Sequence, residues 1–213
     1  MYIIGIDLSG PSNHQDTVLT SFIVDNHHLT FDNRILGASD EAIISFVSSL
    51  PSDKPIFIGI DSPLSYQDGG GDRPYDRELR RFAKGLGMKS GSIMTPTLTR
   101  MIYLTARGIH LAHTLSSMEN VNVTEVHPGV ALASRVPADE MHHVLHYKKR
   151  DESLDWVQDF LSTYISRLLP PAHTSHEIDS ILAAIACWHL ATESNIPWCM
   201  GAKPPHHPFP ITV

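Results

Sequence analysis

YIIGIDLSG at residues 2–10 begins with an apolar run, ends that run in Asp7 and then breaks at once into a Ser-Gly-Pro turn. Such a short apolar run is typical of a buried strand. A carboxylate at the end of a buried strand costs free energy unless a partner or a cation stabilises it. The stretch therefore predicts both an internal strand and a functional role for Asp7.

Two later stretches repeat this arrangement. PIFIGID at residues 55–61 ends in Asp61, and VNVTEV at residues 121–126 carries Glu125 at its end. Because strands of one sheet can end at the same edge, we expect the three carboxylates to converge there. Like charges at close range raise one another's pKa, so a shared cation would resolve their repulsion.

A helix supplies a fourth acid. Apolar residues recur at helical spacing over residues 175–192, behind the N-cap candidate Ser175, and Asp179 lies in the first turns. His176 stands three residues earlier, so both side chains share one helix face. Four carboxylates with a histidine predict a site for Mg²⁺ or Mn²⁺, of the kind that hydrolyses phosphodiester bonds with two metal ions.

A structural interpretation of the same residues stays open at this point. A single acid after an apolar strand is often a solvated turn residue, and His176 could be an ordinary polar residue of the first helical turn. The recurrence of the acid on three strands and a helix favours the metal site. His176 could then be a ligand or a general acid or base, since its ordinary pKa is near 6.5.

The remaining pattern predicts an α/β protein of one domain, residues 1–213, with a core at about 2–193 and a Pro-rich tail at 194–213. Strands at 18–24 and 28–36 should follow the first strand as a meander, joined by a turn at 25–27. Further helices are expected after Ser39, at 74–84, after Pro96, and from Leu154 to Leu168, and the tail could end in a short edge strand.

Composition excludes several classes of protein. The chain is 42% hydrophobic and 18% charged, without the run of apolar residues that would span a bilayer, so we expect no membrane partner. It shows no secretion signal and has two cysteines, which favours the cytoplasm. The sequence leaves a homo-oligomer open.

Basic residues are concentrated in two places although the formal net charge is -7. We expect them to contact the phosphates of DNA or RNA, in a form that the sequence does not specify. An equally weighted interpretation is a solvated helix face with internal ion pairs. The candidate residues are Arg73, Arg77, Arg80, Arg81, Lys148 and Lys149.

The ordered set IIGIDLSG, IFIGIDSPLS, RPYDRELRR, GLGMKSGSIMTPTLTR, TEVHPGVAL and HEIDSILAAIACWHLA resembles an uncharacterised domain family described as predicted nucleases with an RNase H-like fold. The resemblance implies a five-stranded mixed sheet flanked by helices, with the first three strands antiparallel. It implies metal-ligand roles for four acids: Asp7, Asp61, Glu125 and Asp179. The helix also resembles that of Holliday-junction resolvases, in which His or Asp can occupy the place of His176.

Three alternatives remain beside the metal-dependent nuclease. A non-catalytic nucleic-acid-binding or scaffolding module could keep the same fold. The stretch DLSG also resembles the first phosphate-binding turn of the actin and sugar-kinase superfamily, but an ATP-dependent phosphotransferase of that type needs two such domains. Finally, His142 and His146 have the i, i+4 spacing of helical zinc ligands, without an evident third ligand.

Overall fold

The computed structural model describes residues 1–25, 28–166 and 169–213. The strands are β1 (Tyr2–Asp7), β2 (Val18–Asp25), β3 (His28–Leu36), β4 (Ile56–Asp61), β5 (Val121–Val126), β6 (Cys199–Met200) and β7 (Ile211–Thr212). The helices are α1 (Asp40–Ser49), α2 (Pro74–Gly85), α3 (Ile102–Ser116), α4 (Pro128–Ala133), α5 (Met141–His146), α6 (Asp151–Ser162) and α7 (Ser175–Ala191). The protein is therefore α/β, as predicted.

The described strands form one mixed sheet in the order β3-β2-β1-β4-β5-β7-β6. β1, β2 and β3 are antiparallel neighbours, which confirms the predicted meander. β4, β5 and β7 run parallel to β1. The expected number of five strands is wrong, because β6 and β7 extend the sheet to seven. Each has two residues, too few to leave an alternating pattern in the sequence.

The segment 194–213, expected as a tail with a short edge strand, packs against the sheet. Its strand β7 lies between β5 and β6, so β6 forms the edge. The backbone N–H of Glu125 donates to the Pro210 carbonyl oxygen at 2.9 Å. Ile211 and Val213 are buried in an apolar cluster with α2 and α4. Burial of these side chains explains why a Pro-rich segment is ordered here.

Helices cover both faces of the sheet. On one face, α7 buries Ile178 and Ile181 against the β1 and β2 side chains Ile3 and Phe22. On the other face, α1 and α3 pack on the opposite residues of β1 and β4 in a second apolar cluster. Because side chains alternate along a strand, β1 and β4 contribute to both clusters, and this explains their nearly continuous apolar sequences.

Two glycines bring α7 unusually close to the central strands. A Cβ atom on Gly5 would collide with the Ser180 carbonyl oxygen, and one on Gly59 would collide with that of Ala183. Only glycine therefore allows this approach, since any larger residue would push the helix outward. The close packing holds the first turns of α7, including Asp179, beside the ends of β1 and β4.

The register of the parallel strands decides which acids can meet. Asp7 aligns with Asp61, so these two side chains lie on the same face of the sheet. Glu125 aligns with Ile60 rather than with Asp61. Because successive side chains alternate between faces, this offset of one residue places Glu125 on the opposite face.

The helix boundaries agree with the sequence in part. Ser39 caps α1 as expected, its Oγ accepting from the N–H of Ala42. The cap of α7 is Thr174, not the expected Ser175. The helix expected from Leu154 to Leu168 occupies Asp151–Ser162, and residues 167–168 lie outside the described residues. The turn expected at 25–27 also includes residues outside them. Across the described ranges, no helix has the length and apolar character needed to cross a membrane.

Candidate metal centre

Three of the four predicted acids converge at the carboxyl ends of two central strands of the sheet. Asp7 ends β1, Asp61 ends the neighbouring β4, and Asp179 reaches them from α7. One carboxylate oxygen from each of the three lies within 4.8 Å of the other two. We refer to Asp7, Asp61 and Asp179 as the aspartate cluster.

The aspartate cluster is poorly solvated. Asp7 is 7% exposed, Asp179 is 1% exposed, and Asp61 is partly buried. Burial, followed by the charges of Asp7 and Asp179, raises the pKa of Asp61 well above its usual range. Burial likewise raises the pKa of Asp179 to about 6, although the Lys148 ammonium opposes this shift. Both shifts show that burial, and after it the neighbouring carboxylates, disfavour the ionised forms of Asp61 and Asp179.

The donor set of the cluster fits a hard divalent cation. Mg²⁺ and Mn²⁺ prefer oxygen ligands, and Mg²⁺ sites commonly use a small number of carboxylates together with water. A bound divalent ion would favour the ionised forms of these three buried, closely spaced carboxylates, which burial and mutual repulsion disfavour. Asp7, Asp61 and Asp179 are therefore the residues that could hold it.

His176 lies at the rim of the aspartate cluster, as its spacing predicted. Its Nδ1 is 2.6 Å from Asp7 Oδ2, and its side chain is 44% exposed. The hydrogen bond to Asp7 is the main cause that raises the pKa of His176. The histidine thus contacts one acid of the cluster while its other edge remains accessible to solvent.

Two neighbouring residues contact the remaining acid. The Tyr147 hydroxyl donates to Asp179 Oδ1 at 2.6 Å, and the Lys148 ammonium donates to Asp179 Oδ2 at 2.5 Å. Lys148 was predicted only as a phosphate contact, and Tyr147 was not predicted. Both lie more than thirty positions before Asp179, so sequence spacing gave no signal of the contact.

Glu125, the fourth predicted ligand, lies apart from the aspartate cluster on the other face of the sheet. Arg73 binds both of its oxygens, with Nη2 2.6 Å from Oε1 and Nη1 2.8 Å from Oε2. The N–H of Leu64 also donates to Oε2. Burial raises the pKa of Glu125, but the Arg73 guanidinium and, after it, His127 more than offset this effect and lower the pKa to about 2. An arginine thus takes the place that a metal ion would have at this carboxylate.

The expected phosphate contact by Arg73 is contradicted by the structure. Arg73 is 1% exposed and binds Asp76 as well as Glu125, so no phosphate reaches its guanidinium. Arg80 pairs with Asp72 at 2.6 Å and stays partly exposed. Arg77 and Arg81 are exposed on α2. The helix therefore has both structural and solvent-facing arginines, a division that its charge pattern did not reveal.

A cleft of about 450 Å³ opens beside the aspartate cluster. Asp61 and Lys148 line it where it meets the cluster, and Lys89, His127 and Lys149 line other parts of its wall. Its floor includes apolar residues from α4 and α5. Basic side chains around an apolar floor could bind an anionic ligand with one end next to the carboxylates.

The crowded carboxylates predict a pH-dependent gain in stability for Asp61→Asn. In the folded, metal-free protein the pKa of Asp61 is raised, so ionisation of Asp61 destabilises the fold. This penalty is full above the raised pKa and declines as pH falls from that pKa towards the ordinary pKa of an aspartate. Without metal, we expect the variant to melt above the wild type at pH 8, and the difference to shrink towards pH 5. Thermal melts of both proteins in EDTA measure it, and titrating groups far from the aspartate cluster cancel in the comparison. A difference that grows with falling pH would contradict the cluster electrostatics.

Together, the fold and the site define an α/β protein with a carboxylate cluster at the ends of two parallel strands. A family model matches residues 5–197, and the family is described as a protein of unknown function, DUF429. The chain belongs to this family. Comparison with the curated proteins and with the solved structures gave no match.

Proposed function

We propose that the chain is a divalent-metal-dependent nuclease of the RNase H-like type, which hydrolyses phosphodiester bonds of DNA or RNA. The observation that carries this proposal is the convergence of Asp7, Asp61 and Asp179 within 4.8 Å. The mixed sheet with its first three strands antiparallel supports it, because the family resemblance implied this feature. The additional β6 and β7 lie at the opposite end of the sheet.

In this proposal the aspartate cluster holds Mg²⁺ or Mn²⁺. When bound, such an ion would supply Lewis-acid stabilisation of the negative charge that grows on the phosphoryl group. Asp7 orients His176 through the 2.6 Å hydrogen bond to Nδ1. The exposed edge of His176 can then exchange a proton with water or with a leaving oxygen. Asp7 and His176 thus form a proton-transfer pair at the rim of the cluster.

The cleft next to the cluster would hold the substrate. Lys89 and Lys149 line the cleft and have exposed side chains, so their ammonium groups can contact phosphate oxygens. Arg77 and Arg81 are exposed on α2 and are the remaining arginine candidates for contacts with the phosphate backbone of the nucleic acid. These contacts give affinity that falls with salt but carries no base specificity.

A cleavage assay tests the proposal. Branched, duplex and single-stranded DNA and RNA are incubated with Mg²⁺, with Mn²⁺ or with EDTA, and Asp7→Asn is the matched inactive variant. We expect cleavage of at least one substrate by the wild type with metal, and none with EDTA or with the variant. No cleavage by a protein that binds the metal would overturn the proposal.

One observation favours a second candidate, a non-catalytic nucleic-acid-binding module of the same fold. The Lys148 ammonium already lies 2.5 Å from Asp179, so a cation of the protein itself partly neutralises the cluster. In such a module the lysine would replace the metal permanently. In the nuclease it must leave Asp179 when the ion binds.

The Lys148→Met variant distinguishes these two roles. We expect it to bind Mn²⁺ about tenfold more tightly than the wild type, because the ion no longer competes with an ammonium for Asp179, and a tenfold change corresponds to about 1.4 kcal/mol. Thermal shift against Mn²⁺ concentration measures the affinity. Lys149→Met, which removes the same charge from the next residue, is the control. A wild type without measurable Mn²⁺ binding, beside a Lys148→Met variant that binds the ion, would favour the non-catalytic module.

A further inference from the structure

A second group of metal-ligating side chains lies outside the aspartate cluster, around the start of α5. Glu140 directly precedes this helix, and His142 and His143 lie in its first turn. One ligand atom from each of the three lies within 4.8 Å of the other two. His143 Nε2 is 3.5 Å from Glu140 Oε2, and the two imidazole rings are 3.9 Å apart between centroids.

The hydrogen bonds of both histidines leave their Nε2 atoms free for a metal. His142 Nδ1 is 3.3 Å from the Asp139 carbonyl oxygen. A carbonyl can only accept, so Nδ1 carries the hydrogen and Nε2 keeps its lone pair. His143 Nδ1 is 3.3 Å from the hydroxyl of Ser153, a buried residue that can accept in the same way. Metal-binding histidines are commonly held by this kind of bond at their second nitrogen.

Packing also fixes one of the two rings. The Trp156 indole of α6 stacks on His143 at 4.6 Å between centroids and 7° between planes. His143 is 15% exposed, so its ring is largely confined between α5 and α6 while its Nε2 faces Glu140. A ring held in this way loses little further freedom when it binds an ion.

From this geometry we propose that Glu140, His142 and His143 form a second metal site, which binds Zn²⁺ or a similar transition-metal cation. Two imidazoles and one carboxylate are the ligand set of open zinc sites, in which a fourth position is left for water. Imidazole ligands favour Zn²⁺ over Mg²⁺, whereas the aspartate cluster offers oxygen alone. The two sites therefore differ in the cation that they prefer.

His146 is not part of the proposed zinc site, although its i, i+4 spacing from His142 is typical of helical zinc ligands. Its Nδ1 is 2.7 Å from the His142 carbonyl oxygen, and its side chain lines the cleft beside the aspartate cluster. None of the residues that line that cleft belongs to the proposed zinc site. His146 is therefore a matched control on the same helix.

Zinc titration of the purified full chain tests the second site and needs no nuclease activity. The Asp61→Asn variant serves as the background, so that binding at the aspartate cluster is weakened. Zn²⁺ affinity is measured by competition with a chromophoric chelator, and histidine NMR resonances identify the ligating nitrogens. In this background we expect one Zn²⁺ per chain, with shifts at Nε2 of His142 and His143 and no ligation by His146.

Substitution of the ligands gives the decisive comparison. We expect His142→Gln, His143→Gln and Glu140→Gln each to weaken Zn²⁺ binding at least about tenfold, and His146→Gln to change it less than about twofold. Ser153→Ala should weaken binding about tenfold through the orientation of His143. The three ligands are at least partly exposed, so matching thermal melts in EDTA will show that the variants fold. Unchanged Zn²⁺ affinity in His142→Gln and His143→Gln would overturn the proposal, whatever the outcome of the nuclease assay.

Discussion

Asp61→Asn should reduce metal-dependent cleavage more than about a hundredfold, since even an indirect partner of a metal ligand changes affinity or activity by 10- to 100-fold. Asp61 interacts with the charges of both Asp7 and Asp179. Burial is the main cause that raises its pKa, and these two charges raise it further. An asparagine keeps the size of the side chain but removes the charge that attracts the cation. Initial rates on the best substrate, over a range of Mn²⁺ concentrations, measure the loss.

Asp53→Asn is the matched control for this prediction. Asp53 is exposed near the opposite end of β4, so the same substitution there should leave cleavage unchanged. The stability experiment guards against misfolding, because Asp61→Asn should melt at or above the wild-type temperature without metal. Cleavage by Asp61→Asn at the wild-type rate would show that the cluster does not perform the reaction.

Arg73→Met should lower the free energy of unfolding by about 3 to 5 kcal/mol, the usual range for removing one partner of a buried ion pair. Arg73 is 1% exposed and contacts the carboxylates of Asp76 and Glu125. Without its guanidinium, both acids are left buried without their main cation. Urea denaturation at neutral pH measures the change.

Arg81→Met provides the comparison for Arg73→Met. Arg81 is exposed on α2, the helix that Arg73 directly precedes, so its removal should change the free energy of unfolding by less than about 0.5 kcal/mol. Comparing these two variants also distinguishes a structural role of Arg73 from a phosphate-binding role. If Arg73 served mainly as a phosphate contact, as its sequence position suggested, Arg73→Met would weaken nucleic-acid binding without a large loss of stability, and the structural role would be wrong.

The central part of the fold could be predicted because its signals are local. The apolar runs of β1 and β4 and the helical periodicity of α7 each lie within one short stretch of sequence. The meander followed from two apolar strand patterns separated by a short polar stretch at residues 25–27. By contrast, β7 is a two-residue strand that is stabilised by burial of Ile211 against distant helices. No local pattern can indicate such a contact.

A difference of one residue in strand register decides which acids belong to the aspartate cluster. YIIGID and IFIGID place the acid at the sixth position, whereas VNVTEV places it at the fifth. Counting from the aligned strand starts would have placed Glu125 with Ile60, on the face opposite Asp61. This difference of one position is present in the sequence itself. The contacts of Lys148 and Tyr147 with Asp179, however, depend on how α5 packs, which spacing does not specify.

Mn²⁺ binding by four single variants tests the central claim most directly. Isothermal titration on folded protein, well below its melting temperature, compares Asp7→Asn, Asp61→Asn and Asp179→Asn with Glu125→Gln. Asp7 and Asp61 lie on the face of the sheet that α7 covers, where they meet Asp179, so each asparagine variant should lose measurable Mn²⁺ binding. Glu125 lies on the opposite face, so Glu125→Gln should bind Mn²⁺ as the wild type does. If Glu125→Gln lost the ion, or if the asparagine variants kept it, the three aspartates would not be the metal site.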